Sequence, residues 1–144
     1  MRYMVQEDGL MRSDTRPAAV SKTTVWTGRA LSFFAALFLL FDAVMKLVKP
    51  AVVVDATVRL GYAEGLIVPI GIVLLVCTVL YVIPRAAVLG AILLTGYLGG
   101  AVATHVRAGS GMFPVLFPVI VGAFLWGGLY LRDEHLRSLI PWRS

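Results

Sequence analysis

The sequence predicts an all-α membrane protein, an antiparallel bundle of four transmembrane helices with both termini on the cytoplasmic side. Three observations predict it. Of the 144 residues, 59% are hydrophobic and only 15% charged, whereas soluble domains carry roughly 25% charged residues. The charges are segregated, leaving four apolar runs close to the ~20 residues that a spanning helix needs. The cations are also unevenly shared. With four spans, Arg2, Arg12, Arg16, Lys22, Arg29, Arg85, Arg132, Arg137 and Arg143 fall on the side of the termini, and Lys46, Lys49, Arg59 and Arg107 on the other. The positive-inside rule then gives an N-in, C-in orientation.

Residues 1–26 are polar and mixed in charge, too long and too acidic for the start of a cleaved signal peptide. They read as a cytoplasmic tail with Trp26 at the membrane interface, where aromatic belts lie. The transmembrane domain covers 27–132. Its first span, about 29–47, stays apolar until Asp42 and Lys46, which stand four residues apart on one helical face and can pair. Pro50 closes it, because the residue before a proline leaves the helical region. Residues 50–64 carry Asp55, Arg59 and Glu64 among valines, the pattern of a short amphipathic segment resting on Val52, Val53, Val58 and Leu60 and ended by Gly61. A β-hairpin arm is the alternative for its valine run.

The second span, about 65–83, tolerates Pro69 in its first turns. The turn at Pro84-Arg85 is so short that the second and third spans must form an antiparallel hairpin. The third span, about 86–105, holds Gly96, Gly99 and Gly100. Gly96 and Gly100 form a GxxxG pair, the spacing that lets helix backbones approach closely in lipid, so this helix is expected as an inner wall and as a dimerisation face. Ala108 to Met112 is a turn, and the fourth span follows at about 113–131 with Pro114 and Pro118 in its first half. Residues 133–144 are a short cytoplasmic tail that could lie back on the membrane through Leu139, Ile140, Pro141 and Trp142.

The first and third spans both run outward, so their ends share one membrane face. That face gathers Asp42, Lys46, Glu64, Thr104, His105 and Arg107. Ionisable groups within a membrane are costly and by default face the bundle or a wet cavity, which makes these six the candidate site. The structural alternative is a self-neutralising Asp42–Lys46 pair with Lys46 reaching for the headgroups. His105 lies about 180° around its helix from Gly96 and so leaves the glycine face. It meets either a second neighbour or the headgroups.

Other chemistries find little support. Cys77 stands alone, which excludes an intrachain disulfide, a CxxC redox pair or a cysteine metal cluster. His105 and His135 fall on opposite membrane faces and cannot share a metal. No catalytic motif is present. The basic residues flank apolar spans rather than forming a basic face, which argues against nucleic-acid binding.

The order and spacing of several short pieces carry a resemblance. These are Asp42-x-x-x-Lys46-Leu47 with Pro50, Val58-Arg59-Leu60-Gly61-Tyr62, the hairpin Ile83 to Ala91, Gly100 to Arg107, and Leu125 to Asp133. Over roughly residues 28–141 the chain resembles the DoxX-like family of small bacterial membrane proteins. The resemblance implies a four-helix protein of the bacterial inner membrane. The family takes its name from a small subunit of a terminal quinol oxidase, and some members are described as parts of membrane oxidoreductase complexes. It further implies a quinone or an oxidoreductase partner as candidate contacts, with Lys46 and His105 at the matching lysine and histidine positions. Three functional readings stand side by side: an accessory redox subunit, a small transporter-like homo-oligomer, and a structural envelope protein without ligand.

Overall fold

The computed structural model describes residues 22–139, in which every apolar run is a helix. Helix α1 covers Lys22–Val48, α2 Ala51–Arg59, α3 Ile67–Val82, α4 Ala87–Arg107, α5 Met112–Arg132 and α6 Glu134–Leu139, with a 3₁₀ turn at Glu64–Leu66 leading into α3. Four of these segments, Lys22–Val48, Glu64–Val82, Ala87–Arg107 and Met112–Arg132, are long and apolar enough to cross a membrane. The tail expected over 1–26 and the anchor expected at Leu139 to Trp142 lie outside the described residues, except for 22–26 and Leu139, which are helical. Helix α1 thus begins seven residues before its expected span. Hydropathy marks where a helix enters lipid, whereas backbone hydrogen bonding continues into the interface, where Thr27 also bonds back to the Thr23 carbonyl at 2.9 Å.

The helices stand in a ring. Helix α1 packs against α3 and α5, and α4 packs against the same two. Every neighbouring pair is therefore antiparallel, and the parallel helices α1 and α4 face each other across the diagonal. Both ends of the described chain emerge at one end of the bundle, here termed the tail end. Helix α2 lies across the other.

The inner wall is α1. Its buried residues, Gly28, Ser32, Ala35, Ala36, Leu39 and Ala43, recur at intervals of three and four along one stripe. All but Leu39 are small, so the neighbouring backbones come close. A Cβ on Gly28 would run into Leu131 and Arg132, and one on Gly128 into Ser32. At the hairpin, Gly90 presses against the backbone of Tyr81. The expectation that Gly96, Gly99 and Gly100 form an inner wall is corrected. All three are exposed, and a Cβ on any of them would meet no atom within 4 Å. Close approach in lipid needs small residues on a face that another helix occupies, and among the described residues no other helix occupies this one.

The tail-end half of the bundle is closed by Leu74, Tyr81, Leu94, Leu125 and Leu129, each at most 1% exposed. The Tyr81 hydroxyl lies 2.9 Å from the Leu125 carbonyl, to which it donates, and 2.9 Å from Ser32 Oγ. The Arg132 guanidinium stands 5.1 Å from the centroid of the Tyr81 ring. That contact joins a cation to an aromatic face at the membrane edge. Asp133 accepts a hydrogen bond from the Leu136 backbone at 3.1 Å, capping α6. Leu136 is buried beneath the bundle, so α6 turns back against it.

At the opposite end three turns shape the chain. Lys49 ends α1 in the left-handed region, at φ 53, with its amide bonded to the Met45 carbonyl, and Pro50 then starts α2. Helix α2 ends in a Schellman turn: Tyr62 N–H reaches the Thr57 carbonyl and Gly61 N–H the Val58 carbonyl. Gly61 takes φ +88 there, a conformation glycine adopts without a Cβ penalty. Residues 105–110 repeat the motif with Gly109 at φ +61. The valine run is thus helical. The amphipathic face also differs from the expected one, because Val52 and Val58 are exposed while Val53, Val54, Thr57 and Leu60 are half-buried.

Candidate functional site

A cavity of about 600 Å³ occupies the α2 half of the bundle, within the ~300–1,000 Å³ typical of small-molecule sites. It opens because α1 and α4 are diagonal and only α2 covers the gap between them. Each wall is one helical face. Helix α1 supplies Phe38, Leu39, Asp42 and Lys46, and α4 supplies positions from Gly96 to His105. Phe117, Pro118 and Val121 come from α5, and Val53, Ala56, Thr57 and Leu60 from α2. The Phe38 and Phe117 rings meet edge to face, with centroids 5.1 Å apart, and form an aromatic wall between α1 and α5.

Of the six predicted residues, four line this cavity: Asp42, Lys46, Thr104 and His105. Lys46 Nζ donates to Asp42 Oδ1 at 2.5 Å, one turn away on α1. An ammonium has three donors, so two remain after this pair. Thr104 is buried and donates to the Gly100 carbonyl at 2.8 Å. His105 is half-buried, and its Nδ1 is shielded from solvent and has no hydrogen-bond partner. Gly96 and His105 border the same cavity despite their half-turn separation, because the α2 segment folds over the end of α4 and carries the cavity round it.

Glu64 and Arg107 brace the roof instead. Glu64 accepts a hydrogen bond from Lys49 Nζ at 2.9 Å on the exposed rim. Arg107 Nη2 donates to the Leu60 carbonyl at 3.1 Å, fastening the end of α2 to α4. Both predicted residues therefore hold the segment that covers the cavity.

Two tyrosines complete the polar lining, and sequence reading passed over both. Tyr62 and Tyr97 border the cavity, and Tyr97 lies within electrostatic reach of Asp42 and Tyr62. Their signal was spacing. Tyr97 stands seven residues before Thr104, two helical turns on the same face, and Tyr62 follows the glycine that turns the chain back toward the bundle. A smaller hollow of about 390 Å³ at the tail end is bordered by Arg29, Arg132, Asp133 and Glu134 and by no predicted residue. Among the described residues, no three of His, Cys, Asp and Glu are grouped so as to hold a metal ion.

The arrangement offers hydrogen-bond donors at one end of an otherwise apolar chamber, beside two aromatic rings. That is the layout of a site for a lipophilic molecule with a polar head. No curated protein and no solved structure matches the chain. A family model, described as the DoxX-like family, matches residues 30–128, a stretch that contains most of all four spans, the whole of α2 and every lining residue of the cavity. The chain is a multi-pass membrane protein that belongs to the DoxX-like family.

Proposed function

We propose that the protein is an accessory subunit of a quinone-linked redox complex in the bacterial inner membrane, and that the α2-end cavity receives the quinone head. The observation that carries this reading is the cavity itself, with cationic and neutral donors placed against aromatic walls. Lys46 and His105 would hold the two carbonyl oxygens of the ring. The free donors of Lys46 suit acceptors on a ligand, and His105 borders the same cavity. Phe38 and Phe117 offer the ring apolar contact, and Tyr97 adds a further hydroxyl. A bound quinone supplies two-electron carrier chemistry. The chain's own residues bind it, orient it and limit its contact with water.

The orientation belongs to the same proposal. The excess of Lys and Arg at the tail end favours an N-in, C-in arrangement, which puts the cavity in the outer leaflet. The transporter reading is weaker, because Lys46 already neutralises Asp42 and the tail-end half is filled with side chains.

The test is extraction from native membrane in mild detergent, followed by mass spectrometry of co-purifying lipophilic molecules and proteins. A stoichiometric quinone is expected, reduced at least tenfold in the Lys46→Ala, His105→Ala double variant. Protein free of quinone and of any oxidoreductase partner would overturn the proposal.

A further inference from the structure

The glycines of α4 occupy an unusual position. Gly96 and Gly100 are exposed and line the cavity. Ile92 and Leu93, about one turn before Gly96, are exposed but outside the lining, so the glycines stand where the lining meets the outer surface and form a rim. The two stand one turn apart, so the rim runs along the helix, and Ala101 extends it. Nothing within 4 Å would stop a Cβ at Gly96 or Gly100, so the missing side chains leave open space and serve no helix contact. The surface just beyond carries Ile92 and Leu93, both exposed, as a face turned to lipid would. The α1–α5 side, by contrast, is walled by Phe38 and Phe117.

We infer that Gly96 and Gly100 form a lateral portal from the cavity to the bilayer, through which the apolar chain of a single-chain amphiphile passes while its polar head stays beside Lys46, Thr104 and His105. The inference rests on the proposed head site and adds the route of access and the class of ligand: a hydrogen-bond-accepting head with one flexible hydrocarbon tail. The geometry explains why small residues lie here without a packing partner.

Full-length protein in nanodiscs is titrated with two probes, a tailless dimethoxy-methyl benzoquinone and its decyl-chain homologue. Gly96→Leu and Gly100→Leu fill the portal without disturbing a helix contact, and Gly99→Leu is the control, exposed but outside the cavity lining. The expected result is at least a tenfold greater weakening of decyl-quinone than of tailless-probe binding in the two portal variants, with the control equal to wild type, whereas equal losses for both probes overturn the portal. Wild-type decyl-quinone affinity in both portal variants overturns the portal while leaving the head site standing. Binding of neither probe by the wild-type protein overturns the head site and the portal with it. Dissociation of an oligomer by Gly100→Leu, read as mass in detergent, would assign this face to contact between copies and also overturn the portal.

Discussion

Tyr62 and Thr104, forty-two positions apart, join their hydroxyls at 2.8 Å. The single Thr104 proton goes to the Gly100 carbonyl, so Tyr62 is the donor. This bond and the one from Arg107 to the Leu60 carbonyl fasten the end of α2 over the cavity. Tyr62→Phe should cost about 1 kcal/mol, the net worth of one such bond. Amide exchange measured by mass spectrometry should speed up in residues 51–59 and stay constant in α3 and α5.

Tyr81→Phe should be more damaging. The change leaves the Leu125 carbonyl without that donor and Ser32 Oγ without its phenol partner, both buried at the α1–α3–α5 junction. An unsatisfied buried group costs about 1–3 kcal/mol, measurable as a lower unfolding midpoint in mixed micelles. Adding Ser32→Ala to that variant should recover part of the loss, since it removes one orphaned hydroxyl.

Two glycines of one helix should respond oppositely to alanine. Gly90→Ala drives a Cβ into the Tyr81 backbone, an overpacking that costs about 1–3 kcal/mol. Gly96→Ala meets open space and should be neutral or stabilising by up to about 1 kcal/mol, the helix-propensity gain. Unfolding curves of the two variants side by side test the contrast.

These glycines also show where the sequence was legible and where it was not. The four spans could be read because hydrocarbon thickness sets their length and charge sets their ends. The gathering of Asp42, Lys46, Thr104 and His105 at one end followed from helix direction alone. The facing of Gly96 and Gly100 did not, because a GxxxG spacing serves close approach and open space equally well. The wall of small residues was present in α1, as Gly28, Ser32, Ala35 and Ala36, but it is mixed with phenylalanines that mask the stripe. Tyr62 and Tyr97 were missed for a related reason. Tyr62, near a span end, ordinarily marks the interface, whereas Tyr97, at the middle of α4, reads as a packing residue, and only the fold shows both at a cavity.

Breaking the Asp42–Lys46 pair on one side should do more harm than removing it. Lys46→Met strands a carboxylate in a chamber wall, whereas Asp42→Asn with Lys46→Met leaves two neutral groups. One-sided loss of a fully buried pair costs about 3–5 kcal/mol. This pair is partly open to the cavity, so a smaller penalty of about 1–2 kcal/mol is expected for the single variant over the double, read from unfolding in mixed micelles.

Orientation can be tested with the lone cysteine removed. In a Cys77→Ser background, Ser110→Cys should react with a membrane-impermeant maleimide on intact spheroplasts, and Arg85→Cys only after lysis. The reverse pattern would place the cavity in the inner leaflet.

The bundle thus has a dead end. The cavity lies on the α2 side of Leu94, and from there to the tail end Tyr81, Leu125 and Leu129 stopper the bundle. Under the proposed head site, a molecule bound in the chamber would have no onward path along the axis and would withdraw by the way it came, so its exchange would be confined to one leaflet.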